Sequence, residues 1–108
     1  MLANDMDIYA FIKPSIDAHT LGINSVAELL NDCGYKVLIG DRNIEDAMND
    51  FKHEINRKIV FDWILNNNIS RVGLSYRLDE DEAINMVGSF VYELKNNNLL
   101  FSQGGPIK

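Results

Sequence analysis

The chain predicts a doubly wound α/β domain, a parallel sheet with helices on both faces, on three observations. Short apolar runs rich in β-formers recur along it: DIYAFI, YKVLI and RVGLS. Segments of helical periodicity separate them, and a Gly or Asn follows each helical segment before the next apolar run. The runs are continuous rather than alternating, which suits strands buried on both faces. Alternating strands and helices imply crossover connections between parallel strands.

The elements follow in order. Asp7 to Ile12 reads as the first strand. Asn24 to Cys33 reads as a helix, with Val26, Leu29, Leu30 and Cys33 on one stripe and Gly34 as its stop. Tyr35 to Ile39 is the second strand. Asn43 to Asn66 is a long helical region with room for a break, its stripe made by Ile55, Ile59, Val60, Trp63 and Ile64. Arg71 to Ser75 is the third strand. Asp79 to Lys95 is a helix whose first turn is crowded with acids, as the helix macrodipole favours. Leu99 to Ser102 reads as a fourth strand running into Gly104-Gly105. The triplets Asn66 to Asn68 and Asn96 to Asn98 each close a helix, since Asn tolerates the left-handed backbone of a C-cap. The winding expected is flavodoxin-like, order 2-1-3-4, without a fifth strand and closing helix. The 108 residues therefore read as one domain, the front part of a longer protein.

Composition narrows the function. At 46% hydrophobic and 24% charged, the chain has the make-up of an ordinary globular protein. A net charge of −6 argues against a nucleic-acid partner, which wants clustered Lys and Arg. No apolar run is long enough to span a membrane, and the N-terminus lacks a secretion signal. The single cysteine, Cys33, fits a small apolar position on a helix in the reducing cytoplasm.

In open α/β sheets, ligands bind beyond the carboxyl ends of the strands where the winding reverses. Three unusual loops are expected there. SIDAHTLG follows strand 1, Ser75-Tyr76-Arg77 follows strand 3, and Gly104-Gly105 follows strand 4. A histidine such as His19 can serve as a metal ligand through a neutral ring nitrogen. A carboxylate two residues away, Asp17, can fix its tautomer from the other nitrogen. Gly22 permits close backbone approach, Ser75 is a small polar group at a strand end, and Gly104-Gly105 offers a flat floor.

These motifs, D-x-H-x-x-G, a serine after VGL, and G-G, resemble the cobalamin-binding domain of vitamin B12-dependent mutases and methyltransferases over most of the chain. The resemblance implies a module holding cobalamin base-off, with the nucleotide tail threaded into the domain. It assigns His19 as the lower cobalt ligand and Asp17 as its hydrogen-bond partner. Lys13, four residues before Asp17, would extend the relay as in the mutases, Ser75 would face the tail, and Gly104-Gly105 would close the site. Adenosylcobalamin or methylcobalamin would be the cofactor. A catalytic barrel domain or subunit of mutase, methyltransferase or radical-SAM type would be the partner, so the module alone would not be an enzyme, and Lys13 leans toward the isomerase type. The chain departs from the pattern where S-x-L would place leucine. Arg77 stands there, behind Tyr76, and both are large for a tail channel. The spacing from Gly22 to Ser75 also exceeds the family's.

Residues alone leave alternatives open. Asp17 also suits a helix N-cap beside an exposed histidine. Lys13 and Ser75 suit ordinary strand ends, and Gly104-Gly105 a simple turn. The same fold with cofactor binding lost would be an interaction or regulatory domain. A receiver-like domain would need an Asp where the third strand ends on Ser75. His53, in FKHEINRK, reads as a solvated face, Trp63 as core, and DEDE (Asp79 to Glu82) as a helix start.

Overall fold

The computed structural model describes residues 7–14, 21–75 and 80–108. Three strands, β1 (Ile8–Ile12), β2 (Lys36–Ile39) and β3 (Arg71–Leu74), form a parallel sheet of order β2-β1-β3. Four helices connect and flank them: α1 (Leu21–Asp32), α2 (Arg42–Asn49), α3 (Glu54–Asn66) and α4 (Glu80–Asn96). The doubly wound α/β class is as the sequence predicts. Register runs Tyr9 with Val37 on one side of β1 and Tyr9 with Arg71 on the other.

Alternation along β1 sorts the two faces. Ala10 and Ile12 are fully buried in a cluster with Ile44, Ala47 and Met48 of α2, Val60, Phe61 and Ile64 of α3, and Phe90 and Leu94 of α4. Phe51, on the α2–α3 connection, packs against Phe61 and Phe90 with ring centroids 5.7 and 5.5 Å away. Ile23 and Ala27 of α1 are buried outside that cluster, consistent with a second layer on the other face. On that face Tyr9 meets Tyr35 edge-on at 5.1 Å. A Cβ on Gly73 would come within 2.7 Å of the Phe11 ring, so this strand glycine is where the ring lies flat on the sheet.

The helical region from 43 to 66 is broken at Asp50–His53. Asp41 starts α2 by accepting the Ile44 N–H at 3.1 Å. At the bend, Asn56 Nδ2 donates to the Asp50 carbonyl and Arg57 Nη1 to those of Phe51 and Lys52. These side chains satisfy carbonyls that the break takes out of the helix. Three helices end alike. Gly34, Asn68 and Asn98 take φ of 94°, 55° and 57°, and the next residue's N–H bonds back to Leu30, Ile64 and Leu94 respectively. These are Schellman ends, and both Asn triplets supply the left-handed residue.

Two apolar stripes are corrected. On α1, Ile23 and Ala27 face inward while Val26, Leu29 and Cys33 are exposed, Cys33 lying in the turn after the helix. On α3, Val60, Phe61 and Ile64 are buried and Ile55 and Ile59 exposed, while Trp63 packs partly buried against the core. Both helices carry apolar residues on two sides, and periodicity alone does not say which side meets the sheet.

The expected fourth strand, Leu99 to Ser102, is also corrected. Leu100 makes one isolated bridge to Ile107, and Phe101–Gln103 form a 3-10 turn. The Leu99 carbonyl takes the Ile107 N–H at 2.9 Å, and the Leu100 carbonyl takes the Gly105 N–H at 2.9 Å. The run thus closes a tight loop on itself instead of joining the sheet. Gly104 is left-handed (φ 88°), and a Cβ on Gly105 would collide with the Leu99 carbonyl group. Both glycines are required by this loop.

The loop ends on the amino edge of the sheet, where Lys108 N–H donates to the Ser70 carbonyl at 2.8 Å. There Asp7, buried, accepts from Ser70 Oγ at 3.0 Å, Arg71 Nε at 3.2 Å and Lys108 Nζ at 2.7 Å. Ser70 Oγ in turn accepts the Ile8 N–H at 3.1 Å. The Lys108 hydrogen bond, with those of Ser70 and Arg71, outweighs desolvation and lowers the Asp7 pKa from 3.8 to about 2.

Because the folded carboxyl group titrates below its unfolded value, Asp7 stabilises the fold above about pH 4. That contribution is lost as pH falls from about 4 to about 2. Melting temperature measured against pH should fall over this window, and Asp7→Asn should be less stable at neutral pH with a smaller fall. At a helix end, Asn98→Val should cost about 1 kcal/mol in urea unfolding and Asn98→Gly should be neutral or stabilising.

Candidate functional site

The candidate site is the carboxyl edge of the sheet, beyond β1 and β3. The strand order puts the winding reversal between these two strands, since α1 leads from β1 outward to β2 and the next crossover returns past β1 to β3. Their ends are tied directly, the Ser75 N–H donating to the Ile12 carbonyl at 3.0 Å. The loop leaving β1 therefore starts beside the loop leaving β3.

Lys13 follows β1 immediately and is enclosed. Its ammonium lies 3.3 Å from Glu45 Oε2 on the first turn of α2, the side chains being 7% and 18% exposed. A long, strongly hydrated ammonium is costly to enclose and is held by an opposite charge. Glu45 was not singled out in the sequence: the pair joins two elements far apart in the chain, and no local spacing marks it. Gly22 lies within the first turn of α1. The N-termini of α1, α2 and α4 all follow strand ends at this edge. α2 and α4 carry acids in their first turns and α1 carries none.

Of the residues singled out, the structure brings Lys13, Gly22 and Ser75 to this one edge. Asp17 and His19 lie outside the described residues, on the connection from Pro14 to Leu21, and so do Tyr76 and Arg77. Gly104 and Gly105 lie elsewhere. Gly105 packs on the turn after α4, at Asn98 and Leu99, with Gly104 open beside it, and this turn has returned to the amino edge where Lys108 meets Ser70. Of the three loops expected to converge, two start from adjoining strand ends, β1 and β3, and the third starts elsewhere. The third was misplaced because the apolar run before it was read as a strand ending at the carboxyl edge.

A cleft of about 830 Å³ opens at the same edge, between the α2–α3 connection and α4. It meets the candidate set only through Pro14, next to Lys13; Met48, Phe51 and Met86 make its apolar part. His53 is exposed at the start of α3 and pairs with Asp50 at 3.0 Å. Among the described residues no group of three or more His, Cys, Asp or Glu is placed to hold a metal ion. Nor is any helix among them long and apolar enough to cross a membrane.

Compared with protein-family models, with curated proteins and with solved structures, the chain matches none.

Glu45→Gln removes the carboxylate facing the enclosed ammonium, so it should lower stability by about 1–3 kcal/mol in urea unfolding. Replacing both charges, Lys13→Met with Glu45→Leu, should recover most of that loss.

Proposed function

We propose that the chain is a cobalamin-binding module that presents the cofactor to a separate catalytic domain or subunit. One observation carries this reading. The D-x-H-x-x-G segment leaves β1 next to the serine that ends β3, the two strand ends being joined by the Ser75–Ile12 hydrogen bond. The chain thus enters the first motif of the resemblance from a strand end that adjoins the one closed by Ser75, the start of the second, at the winding reversal.

In this role His19 would hold the cobalt. Asp17 would accept a hydrogen bond from the other ring nitrogen, fixing its tautomer and raising its basicity. Lys13, steadied by Glu45, would stand behind that pair at the end of β1. Ser75 would line the path of the nucleotide tail, and Gly22 would let the first turn of α1 lie close to it. Gly104 and Gly105 are left with their part in the amino-edge loop. When bound, the cobalt centre supplies methyl transfer or radical-initiated carbon-skeleton rearrangement, and the partner barrel supplies the substrate.

A second reading, the same fold serving as an interaction or regulatory domain without cofactor, is favoured by the position of Gly104-Gly105 on the opposite edge.

The two are separated by mixing the protein with hydroxocobalamin or methylcobalamin, removing free ligand by gel filtration and recording the visible spectrum. The module reading expects retained cobalamin with a base-off, histidine-bound spectrum that is lost in His19→Ala. Retention unchanged by that substitution would remove His19 from the cobalt. No retention would favour the interaction domain.

A further inference from the structure

We propose that α4 is a self-association surface, pairing antiparallel with α4 of a second copy of this chain. The proposal is independent of the cofactor reading.

A helix that only covers a sheet needs one apolar stripe. α4 has two. Phe90 and Leu94 are buried in the core, with Met86 packed against it. A separate row, Ile84, Val87 and Val91, is 63%, 44% and 46% exposed, with Tyr92 beside it at 62%. Spacings of three and four residues put Ile84, Val87 and Val91 on one line along the helix.

Gly88 sits within this row. A Cβ there would meet nothing within 4 Å, so the packing of this chain does not require glycine, which weakens a helix interior relative to alanine. A missing side chain in an apolar row does leave a notch that lets another helix come close.

Charge selects the occupant. Glu80 lies four residues before Ile84, and Lys95 four residues after Val91, so the row has an acid at one end and a base at the other. Both side chains are exposed, and neither forms an ion pair within the described residues. The row is symmetric about the midpoint between Val87 and Gly88. A second α4 running antiparallel about a two-fold axis sets Ile84 against Val91, Val87 into the Gly88 notch and Glu80 beside Lys95. The axis makes every contact twice. A parallel pair would instead oppose like charges.

The test is sedimentation equilibrium of the 108-residue chain from about 10 µM to about 1 mM, a range suited to a small, single-helix interface. A monomer–dimer equilibrium is expected. Val87→Asp and Gly88→Leu should each abolish the dimer while leaving the far-ultraviolet circular dichroism and melting temperature of the monomer intact, since both positions are exposed. Glu80→Lys alone and Lys95→Glu alone should each weaken association about threefold to tenfold, and the two together should restore it. A monomer at every concentration overturns the proposal and leaves the row to a different partner. A dimer indifferent to Val87→Asp and Gly88→Leu overturns it in favour of another face. Failure of the double charge exchange to restore association overturns the antiparallel arrangement.

Discussion

The structure depends on β1 being the middle strand. Ile8–Ile12 pairs in parallel on both edges, with β2 and with β3, so no backbone group of this strand is left to solvent-facing pairing. Such a strand must be apolar on both faces, and IYAFI is. Charge is confined to its two ends. Asp7 precedes it and Lys13 follows it, and each is buried with partners from elsewhere in the chain. The central strand thus carries a fixed charge to each edge of the sheet. What the neighbouring elements do with those charges separates the two edges.

At the amino edge the charge is consumed by structure. Asp7 gathers Ser70, Arg71 and Lys108, and the glycine loop after α4 packs alongside. At the carboxyl edge, Lys13 pairs with Glu45 of α2 beside the reversal of the winding. The division follows the usual logic of parallel sheets. One rim is spent on holding the strands, and the other is left to loops that can be shaped around a ligand.

Much of this fold is legible in the residues, for local reasons. Continuous β-rich runs marked the three strands of the sheet, and the residues following the helices marked three of their ends, because a left-handed backbone at Gly34, Asn68 and Asn98 is a local demand that few side chains meet. The common flavodoxin-like winding then supplied the order 2-1-3, and with it the nearness of Ser75 to the end of β1. The misreadings are equally physical. LLFS has the composition of a strand, but the N–H groups of Gly105 and Ile107 capture its carbonyls first. Val26 and Leu29 have the spacing of a buried stripe, yet the smaller Ala27 lies against the sheet. Lys13 and Glu45 gave no sign of one another, since a pair made by packing has no spacing to read. Of the candidate site, the meeting of the β1 and β3 ends follows from topology, while Gly104-Gly105 was assigned through a strand that does not form.

The central position of β1 has a consequence for how the chain is made. The strand is synthesised first but completed last. Its partner across the Ile8–Ser70 contact is 62 residues further on. Until β3 leaves the ribosome, β1 has one edge bare and the Phe11 ring has no Gly73 to lie on. Pairing of such separation is slow to find, and an exposed apolar edge in the meantime is where nascent chains adhere to one another. β2, by contrast, pairs with β1 at a separation of only 28 residues, Ile8 with Lys36. The interval between the two pairings is therefore when an apolar strand edge of this chain is open to other chains.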